Sequence, residues 1–333
     1  MKIYITMPIN DTSERFLTPR NRELLNSIGE VEQNPYDRPL TVEEVVELAN
    51  DADVLITCWG TCLYHKADVL KMPNLKLIAH FAGSVAPVVA QDVYETDVKV
   101  ISGNDVFAKS VAEGCLCYTL AALRRLEHFM SNMRQGGFKE DPHYNRGLFG
   151  KKLGIVGFGA IARYYLELVR WFDLEVLIYS SHLTDEEAAK YGGRTASLEE
   201  IFSQCDVISI HASNTPKTYH MITRELLERL KPDALLVNTA RGAVIDEPAM
   251  FEMLLDGKFY AALDVYEVEP PAPDAPIRKC ENVLLMPHMG GPTMDMRSVV
   301  AIEVIKDIAR LGRGEQLQYE ITAAAASRMT AGG

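Results

Sequence analysis

The sequence has little of what membrane, secreted or nucleic-acid-binding proteins require. No apolar run approaches the roughly 18 residues of a membrane span, and no signal-peptide cleavage site follows the opening apolar stretch. Six cysteines among 333 residues are too few for a disulfide scaffold, and their spacing matches no zinc site. Runs of basic residues are absent, and a net charge of -12 opposes binding to nucleic acids or anionic lipids. We therefore expect a cytoplasmic protein with reduced thiols and with no metal, nucleic-acid or membrane partner.

Short apolar runs alternate with amphipathic stretches along almost the whole chain, a pattern typical of βαβ units and parallel sheets. The length suggests about two domains at roughly 150 residues each. The sequence therefore predicts an α/β protein with two doubly wound parallel sheets, of the Rossmann-like or flavodoxin-like kind. In such folds ligands bind beyond the carboxyl ends of the strands, and we expect the active site in the cleft between the two domains.

The periodicity predicts the individual elements. Strands are expected at residues 2–7, 53–57, 76–80, 99–102, 152–156, 175–179, 206–211, 234–238, 260–263 and 283–286. Helices are expected near 18–28, 41–50, 89–95 and 294–311, with others starting near Ala160, Ser197, Thr223 and Glu247. Residues 108–136 are predicted to form one long helix that stops at the glycine pair 136–137, and Thr41 with Glu44 forms a capping box. The Ala-rich tail, residues 321–333, has no periodicity and is expected to fray.

A glycine-rich turn follows the predicted strand 152–156 and precedes an amphipathic helix. Gly157, Gly159 and Ala162 form a G-x-G-x-x-A pattern. The first glycine makes the tight turn, the second lets the backbone approach a pyrophosphate, and the small third residue lets the helix pack on the strand. Many tight turns contain glycine, but here the strand, the helix and a second strand stand in the order that dinucleotide binding requires. Contacts with the cofactor are expected at Gly157, Gly159, Ala160 and Ile161.

The choice between NAD and NADP depends on the end of the next strand, about 20 residues further on. Sites for NAD usually carry a carboxylate there, which accepts hydrogen bonds from the ribose hydroxyls. Here the chain has Ser180, Ser181 and His182, with neither a carboxylate to repel a 2′-phosphate nor an arginine to bind one. These residues are expected to contact either NAD(H) or NADP(H); the alternative is a turn that is simply rich in hydrogen-bonding side chains.

Three polar residues, Arg241, Glu269 and His288, stand where strands of the second half are predicted to end. Each alone has an ordinary alternative, namely a solvated arginine, a glutamate that shapes a turn before proline, or a structural histidine. Together they suit hydride transfer at a 2-hydroxy acid. A histidine can exchange a proton with the hydroxyl group near neutral pH, a carboxylate can orient its ring, and an arginine can bind the substrate carboxylate through its planar fork.

At these motifs the chain resembles the D-isomer-specific 2-hydroxyacid dehydrogenases, a family that includes phosphoglycerate dehydrogenases and glyoxylate/hydroxypyruvate reductases. The matching segments include AKSVAEG, GKKLGIVGFGAIAR, LKPDALLVNTARGAVIDE and NVLLMPHMGGPT, and the resemblance covers most of residues 75–315. It implies a nicotinamide-dependent oxidoreductase that acts on a small D-2-hydroxy acid or 2-oxo acid. It also implies that Arg241 binds the substrate carboxylate, that His288 is the acid/base, and that Glu269 pairs with this histidine.

The resemblance implies further site residues. The backbone amides of Ala82, Gly83 and Ser84 are expected to hold the substrate carboxylate, and Asp264 is expected to hold the carboxamide of the nicotinamide. For Asp264 the alternative is an acidic residue at a strand end that caps a turn. Other contacts with the cofactor are expected at Ser110, His211, Ala212, Thr239 and Ala240.

Domain boundaries and assembly also follow from the resemblance. Residues 1–101 and 290–333 are expected to form a discontinuous substrate domain, and residues 102–289 the dinucleotide-binding domain. Such proteins are usually homodimers, and their long crossover helix makes residues 108–136 the candidate interface; a buried helix of a monomer would show the same apolar stripe. Two departures from the family pattern, Ser180 in place of an aspartate and Ala86 near a position that is often charged, leave the cofactor and the substrate open.

Two other functions compete with this interpretation. A nucleotide-sensing protein, similar to the corepressors of this fold, would keep the cofactor and the three polar residues. The sequence shows neither a partner-binding arm nor a disordered basic extension to favour it. The second is a methyltransferase with a similar glycine turn, but this interpretation leaves the segments that carry Arg241, Glu269 and His288 without a role. His80, Trp59 and Tyr64 in the first half are at least as compatible with core packing as with a substrate pocket, and they receive no role.

Overall fold

Parallel strands form both sheets of the computed structural model, which describes residues 1–139 and 145–330. The chain divides into two units, Met1–Ala108 with Pro292–Gly333, and Lys109–Gly291. Each unit combines one parallel sheet with helices, so the predicted α/β class with two parallel-sheet domains is confirmed. The assignment of the first unit to the substrate and of the second to the cofactor stays a prediction.

The first unit is built on five strands. They are β1 (Lys2–Ile5), β2 (Glu30–Gln33), β3 (Val54–Thr57), β4 (Leu77–His80) and β5 (Lys99–Ser102). They lie in the order β2-β1-β3-β4-β5, and every residue of β3 and β4 is buried, as expected for the inner strands of a parallel sheet. The apolar runs predicted all of these strands except β2. That strand has the sequence Glu-Val-Glu-Gln and lies at the edge of the sheet, where polar residues face water.

The helices of the first unit differ from the predicted ones in detail. They are α1 (Asp11–Phe16), α2 (Pro19–Ile28), α3 (Val42–Leu48), α4 (Lys66–Val69), the start of α5 (Asn104–Leu123), α12 (Met296–Gly312) and α13 (Ala323–Ala326). The predicted capping box is present at α3, because Thr41 Oγ1 accepts from the Glu44 amide and the Glu44 carboxylate accepts from the Thr41 amide. The helix predicted at 89–95 is instead a short 3-10 helix, Gln91–Glu95, since residues 88–90 pair with the main chain of Tyr64.

The second unit is built on seven strands. They are β6 (Lys152–Val156), β7 (Glu175–Tyr179), β8 (Gly193–Thr195), β9 (Val207–Ile210), β10 (Leu235–Asn238), β11 (Tyr260–Leu263) and β12 (Val283–Leu285). Their order is β12-β11-β10-β9-β6-β7-β8, so the direction of winding reverses between β6 and β9. Ligands of doubly wound sheets bind at this switch point, beyond the carboxyl ends of the strands. The helices wholly within this unit are α6 (Leu126–Arg134), α7 (Ala160–Val169), α8 (Asp185–Ala189), α9 (Leu198–Gln204), α10 (Arg224–Leu227) and α11 (Glu247–Leu255).

The prediction of a single helix over residues 108–136 is wrong. Helix α5 ends at Leu123, and Arg125 adopts a left-handed conformation with φ 48° before α6 begins. The cause is tertiary: the amide of Arg146 donates to the Leu123 carbonyl at 3.1 Å, so a later part of the chain caps the end of α5. By length and composition α5 could cross a membrane, but half of its most apolar window is buried inside the protein, as in a core helix.

The prediction that the C-terminal tail frays is also wrong over its described part. Thr322 caps the short helix α13, and Ala326 is buried. The amide of Ile321 donates to the Val100 carbonyl at 2.8 Å, which attaches the tail to the edge strand β5. Small apolar side chains of the tail therefore pack against the rest of the first unit without any periodic pattern. Residues 331–333 of the predicted tail lie outside the described residues.

Candidate active site

Three neighbouring strands of the second unit end beside the three polar residues that the sequence singles out. Arg241 follows β10, Glu269 follows β11 and His288 follows β12. Because β10 pairs with β11 and β11 with β12, all in parallel, their carboxyl ends lie along one edge of the sheet. This edge brings Glu269 and His288 into hydrogen-bonding contact, and the carboxylate of Glu269 acts electrostatically on Arg241.

The histidine and the glutamate form an oriented pair. His288 Nδ1 lies 2.6 Å from Glu269 Oε2, and Glu269 Oε1 accepts from the Tyr266 amide at 3.0 Å. The carboxylate is thus held at both oxygens, and it selects the tautomer of His288 in which Nδ1 carries the proton when the ring is neutral. The side chains of His288 and Glu269 are 44% and 34% exposed. Nε2 of His288 is therefore the ring nitrogen that can exchange a proton with a ligand.

Arg241 sits beside this pair with part of its donor capacity unused. Its Nη1 donates to the Ala240 carbonyl at 2.6 Å, whereas its buried Nε has no acceptor among the described residues. The side chain of Asn238 holds the turn at both ends, donating to the Arg241 carbonyl and accepting from the Ala240 amide, each at 3.0 Å. Burial lowers the pKa of Arg241, and the negative charge of Glu269 opposes that change. A buried guanidinium with a free donor suits a ligand carboxylate.

Asp264, at the end of β11, holds the loop that carries His288. Its two carboxylate oxygens accept from the amides of Met289 and Gly290, each at 2.7 Å, and its own carbonyl accepts from the His288 amide at 2.8 Å. Burial raises the pKa of Asp264, while the two amide bonds act in the opposite direction. This geometry matches the turn-capping alternative, and a contact with nicotinamide stays a prediction. The sequence could not predict these two hydrogen bonds, since they join Asp264 to residues 25 and 26 positions away.

A second histidine–glutamate pair, which the sequence did not suggest, joins the loop after β9 to the loop that carries Glu269. His220 Nε2 lies 3.0 Å from Glu267 Oε2, and the Glu267 amide donates to the Glu247 carboxylate at 2.8 Å. The His220 amide donates to the Ala243 carbonyl at 2.9 Å. A side chain at Gly242 would collide with the main chain of residues 266–267, so glycine is needed where these two loops touch. Main-chain packing thus ties the loop that carries Arg241 to the loop that carries Glu269, and the His220–Glu267 contact joins the loop after β9 to them.

The glycine turn lies at the switch point of the same sheet. Gly157 has φ +93°, and a Cβ there would lie 2.6 Å from the amide nitrogen of Ala212. At Gly159, in contrast, a Cβ would meet nothing described within 4 Å, so the backbone faces open space. Helix α7 begins at Ala160 and receives no side-chain cap from Gly159, which leaves its first amides available. An open approach to uncapped amides fits the pyrophosphate of a dinucleotide.

The remaining predicted cofactor residues also lie in the second unit. Ser180, Ser181 and His182 directly follow β7, the neighbour of β6. His211 and Ala212 follow β9, and Thr239 and Ala240 follow β10. Ser110 is buried on α5, and Thr239 Oγ1 is a buried hydroxyl without a hydrogen-bond partner among the described residues. The unsatisfied hydroxyl suits a polar ligand at this edge.

His211 belongs to a partly buried polar network at the end of β9. Its Nε2 lies 2.9 Å from Ser209 Oγ, which in turn lies 3.2 Å from Cys115 Sγ. Burial lowers the pKa of His211 to about 3, so the ring is neutral at physiological pH. It is therefore unsuited to carry a charge toward a ligand, and any contact that it makes is through a neutral ring.

The predicted carboxylate cradle follows β4 in the first unit. Ser102 Oγ bonds to the Ala82 and Gly83 carbonyls at 3.0 and 2.5 Å, and Ser84 Oγ donates to the Thr330 carbonyl at 2.7 Å. The carbonyls of residues 82 and 83 are thereby fixed. Their amides and that of Ser84 donate to no acceptor within the described part of the chain. Three successive unsatisfied amides fit a carboxylate.

A cavity of about 540 Å³ in the second unit borders the histidine–glutamate pair. Glu269 and His288 contribute to its wall, together with the apolar residues Pro270, Ile277 and Met286. Ligand sites of this kind are mostly apolar with a few polar groups that fix orientation. The cavity therefore places the pair beside space that a small molecule can enter.

Comparison with known proteins defines the family. A family model described as "D-isomer specific 2-hydroxyacid dehydrogenase, NAD binding domain" matches residues 116–290, more than half of the chain. The chain belongs to the D-isomer specific 2-hydroxyacid dehydrogenases. The predicted class, a nicotinamide-dependent oxidoreductase acting on CH–OH groups, is the class of this family.

Similar proteins agree with this assignment. The chain is 32% identical over 318 residues to D-3-phosphoglycerate dehydrogenase from Methanocaldococcus jannaschii, covering 95% of this chain but only 58% of that protein. It is 30% identical over 285 residues to glyoxylate reductase from Korarchaeum cryptofilum, covering 84% and 85% of the two chains. The solved structure of an acyclic imino acid reductase in complex with NADPH and D-Arg superimposes with a TM-score of 0.80 at 23% identity. The match covers 96% of this chain and 100% of that chain, and it supports the fold. These relatives give no support to the alternative of a nucleotide-sensing protein.

Proposed function

We propose that this protein transfers a hydride between a nicotinamide cofactor and C2 of a small D-2-hydroxy acid or 2-oxo acid. The observation that carries the proposal is the His288–Glu269 pair, 2.6 Å apart, with the unsatisfied Arg241 Nε on the same sheet edge. The names of the relatives, D-3-phosphoglycerate dehydrogenase and glyoxylate reductase, support the same reaction. The position of the active site in a cleft between the domains stays a prediction.

The side chains perform complementary steps in this proposal. Arg241 binds the C1 carboxylate and polarises the adjacent carbonyl through its free donor. When bound, the reduced cofactor supplies the hydride that reaches C2. His288 donates the proton at Nε2 to the carbonyl oxygen, which yields the hydroxyl group, and it accepts that proton in the reverse reaction. Glu269 stabilises the protonated ring through Nδ1 and keeps Nε2 directed away from itself.

The cofactor site of the proposal is the switch point of the second unit. The amides at the start of α7 would hold the pyrophosphate, and Ser180, Ser181 and His182 would contact the adenosine ribose of either NAD(H) or NADP(H). Asp264 and Ser110 complete the cofactor contacts, and the amides of residues 82–84 hold the substrate carboxylate. The first unit thus serves mainly the substrate and the second unit the cofactor.

We also propose that the protein forms a homodimer through residues 108–136. Helix α6 supports this, because Leu126, Met130 and Met133 follow one another at helical spacing and are 48%, 52% and 55% exposed. An exposed apolar stripe of this kind is costly in a monomer and is covered in an assembly. Sedimentation equilibrium of the wild type and of a Met130→Glu variant tests the interface.

The test of the reaction is nicotinamide absorbance against time, with NADH and with NADPH, over glyoxylate, hydroxypyruvate, pyruvate and bulkier 2-oxo acids. Arg241→Gln is expected to raise KM for the oxo acid at least roughly tenfold, because a carboxylate partner is lost. His288→Gln is expected to lower kcat by about 10²- to 10⁴-fold. His220→Gln, which breaks the other histidine–glutamate pair, is the matched control. Cofactor binding without turnover of any 2-oxo acid would contradict the proposal.

A further inference from the structure

Trp59 lies in the first unit just past the end of β3, with 47% of its surface exposed. Its indole is supported by two buried rings that both meet it edge-on, Phe16 at a centroid distance of 5.6 Å and Phe107 at 5.7 Å. Edge-to-face contacts of this kind fix the orientation of a ring. Trp59 is therefore a rigid platform rather than a mobile surface side chain.

Arg297, in the first turn of α12, completes this platform. Its guanidinium carbon lies 5.3 Å from the centre of the Trp59 ring, in a cation–π contact. Its Nε is buried and has no acceptor, and no carboxylate among the described residues forms an ion pair with it. The other arginines near the C-terminal end of the same helix behave differently, since Arg310 pairs with Asp307 and Arg313 with Glu315.

A buried donor without an acceptor is unusual, because leaving it unsatisfied costs free energy. The cation–π contact holds the guanidinium in place but offers Nε no hydrogen bond. An oxyanion in the plane of the guanidinium would satisfy Nε together with an Nη group, in the bidentate geometry that arginine provides. Arg297 is thus arranged for an anionic group that does not come from the described residues.

The location of this pair links it to the substrate. Strands β3 and β4 are neighbours, and Thr57 is in register with His80. Trp59 and Ala82 each lie two residues beyond that register pair, so the aromatic platform and the cradle of free amides follow adjacent strands at the same carboxyl edge. A ligand anchored at residues 82–84 by one carboxylate would have its remaining atoms near this edge.

We propose that Trp59 and Arg297 form a second subsite that recognises a second anionic group, a carboxylate or a phosphate, on the 2-oxo or 2-hydroxy acid. This inference rests on the proposed function for the identity of the first anchor. Arg297 binds the distal anion, and the exposed indole face packs against the carbon atoms between the two anions. A substrate with an apolar tail would leave Arg297 Nε unsatisfied, so the subsite selects dianionic over monoanionic acids.

Binding can be measured without turnover, because the sequence has only two tryptophans, Trp59 and Trp171. A Trp171→Phe variant makes Trp59 the sole reporter of fluorescence. Two matched ligand pairs are titrated into the protein: 2-oxoglutarate against 2-oxopentanoate for a carboxylate, and phosphohydroxypyruvate against hydroxypyruvate for a phosphate. We expect at least one dianionic ligand to bind roughly tenfold more tightly than its partner. The pair that responds tells which anion is recognised.

Substitution of Arg297 then tests the assignment. Arg297→Gln in the Trp171→Phe background is expected to abolish the preference without changing the affinity for monoanionic ligands, and Arg297→Lys to restore part of it. Arg313→Gln, at the other end of α12, is the control that changes the same charge. In kinetics, Arg297→Gln should raise KM for the preferred dianionic substrate at least tenfold and leave its kcat within about twofold.

The outcomes separate the two proposals. Turnover of 2-oxo acids without any preference for the dianionic member, unchanged by Arg297→Gln, would overturn the subsite and leave the proposed function standing. An Arg297-dependent fluorescence response in a protein that reduces no 2-oxo acid would support the subsite as an anion site and overturn the proposed function. Equal losses for monoanionic and dianionic ligands in both Arg297 variants, with an unchanged unfolding midpoint, would also overturn the subsite.

Discussion

Replacing Glu269 by glutamine keeps the size of the side chain and removes its charge. The amide can still accept from the Tyr266 main chain through its oxygen, but its NH2 group then faces His288 Nδ1 instead of Oε2 at 2.6 Å. A hydrogen bond to a charged group contributes roughly 1.5–3 kcal/mol. The two side chains are 44% and 34% exposed, so water screens the pair and we expect the lower part of that range, about 1.5–2 kcal/mol.

If the protonated His288 is needed in the transition state, this loss lowers kcat about 10- to 30-fold. The assay is the initial rate of nicotinamide oxidation at saturating cofactor and 2-oxo acid. Glu267→Gln is the matched control, because it removes the same charge two residues away. The carboxylate of Glu267 contacts His220 instead of His288, and the hydrogen bond from the Glu267 amide to Glu247 is kept. A kcat of Glu269→Gln within about twofold of the wild type, or an equal loss in Glu267→Gln, would refute the reasoning.

Three further predictions concern buried or constrained positions. Asp264→Asn replaces one of the two oxygens that accept from the amides of residues 289–290 by a donating NH2 group. We expect kcat to fall about tenfold and the free energy of unfolding, measured in urea, to fall by about 2 kcal/mol. Unchanged values in both assays would contradict this prediction. Gly157→Ala brings a Cβ to 2.6 Å from the Ala212 amide at φ +93°, which should cost about 1–3 kcal/mol and weaken NADH binding in a fluorescence titration. Burial lowers the pKa of His80 from 6.5 to about 4, so the unfolded state binds the proton first as the pH falls. Stability that is full above pH 6.5 is therefore lost toward pH 4, by about 3 kcal/mol, and His80→Gln should flatten that part of a denaturation series.

The positions of the inner strands could be predicted because inner strands of parallel sheets are buried on both faces. Strands β3, β4, β9 and β10 are wholly buried, and each has three apolar residues out of four, so they appear in the sequence as short, mainly apolar runs. The edge strands β2 and β8 are short and polar, so their side chains do not predict a strand. Main-chain pairing with the neighbouring strands β1 and β7 gives them their extended conformation. Local chemistry likewise predicted the start of α3, since its capping box lies within four residues.

Helix α5 shows where local chemistry fails. Its apolar stripe continues through Leu126 in the sequence, but the helix stops at Leu123 because a distant amide, that of Arg146, takes the free carbonyl. The prediction for the C-terminal tail is wrong in the opposite sense, because it missed structure instead of extending it. Small residues without periodicity become ordered there by contact with β5. In both cases the deciding partner is far away along the chain.

For the candidate site, linear order was sufficient to predict that Arg241, Glu269 and His288 follow strand ends, and neighbouring parallel strands bring them to one edge of the sheet; their catalytic roles stay predictions. Linear order was not sufficient to predict which residues hold these three side chains in place. The hold of Asp264 on the His288 loop depends on contacts across 25 residues, and the free donor of Arg241 depends on which acceptors the fold leaves out of reach.

Periodicity and side-chain chemistry were enough to predict the class of fold, the glycine turn and the residue types that could exchange a proton or bind a carboxylate. Which of those groups are paired and which are left unsatisfied follows from the three-dimensional arrangement of the chain. Pairing depends on distances of about 3 Å between residues that are far apart in the chain. The unsatisfied donors of Arg241 and Arg297 are the clearest case, because an arginine looks the same in a sequence whether or not its partner is a ligand.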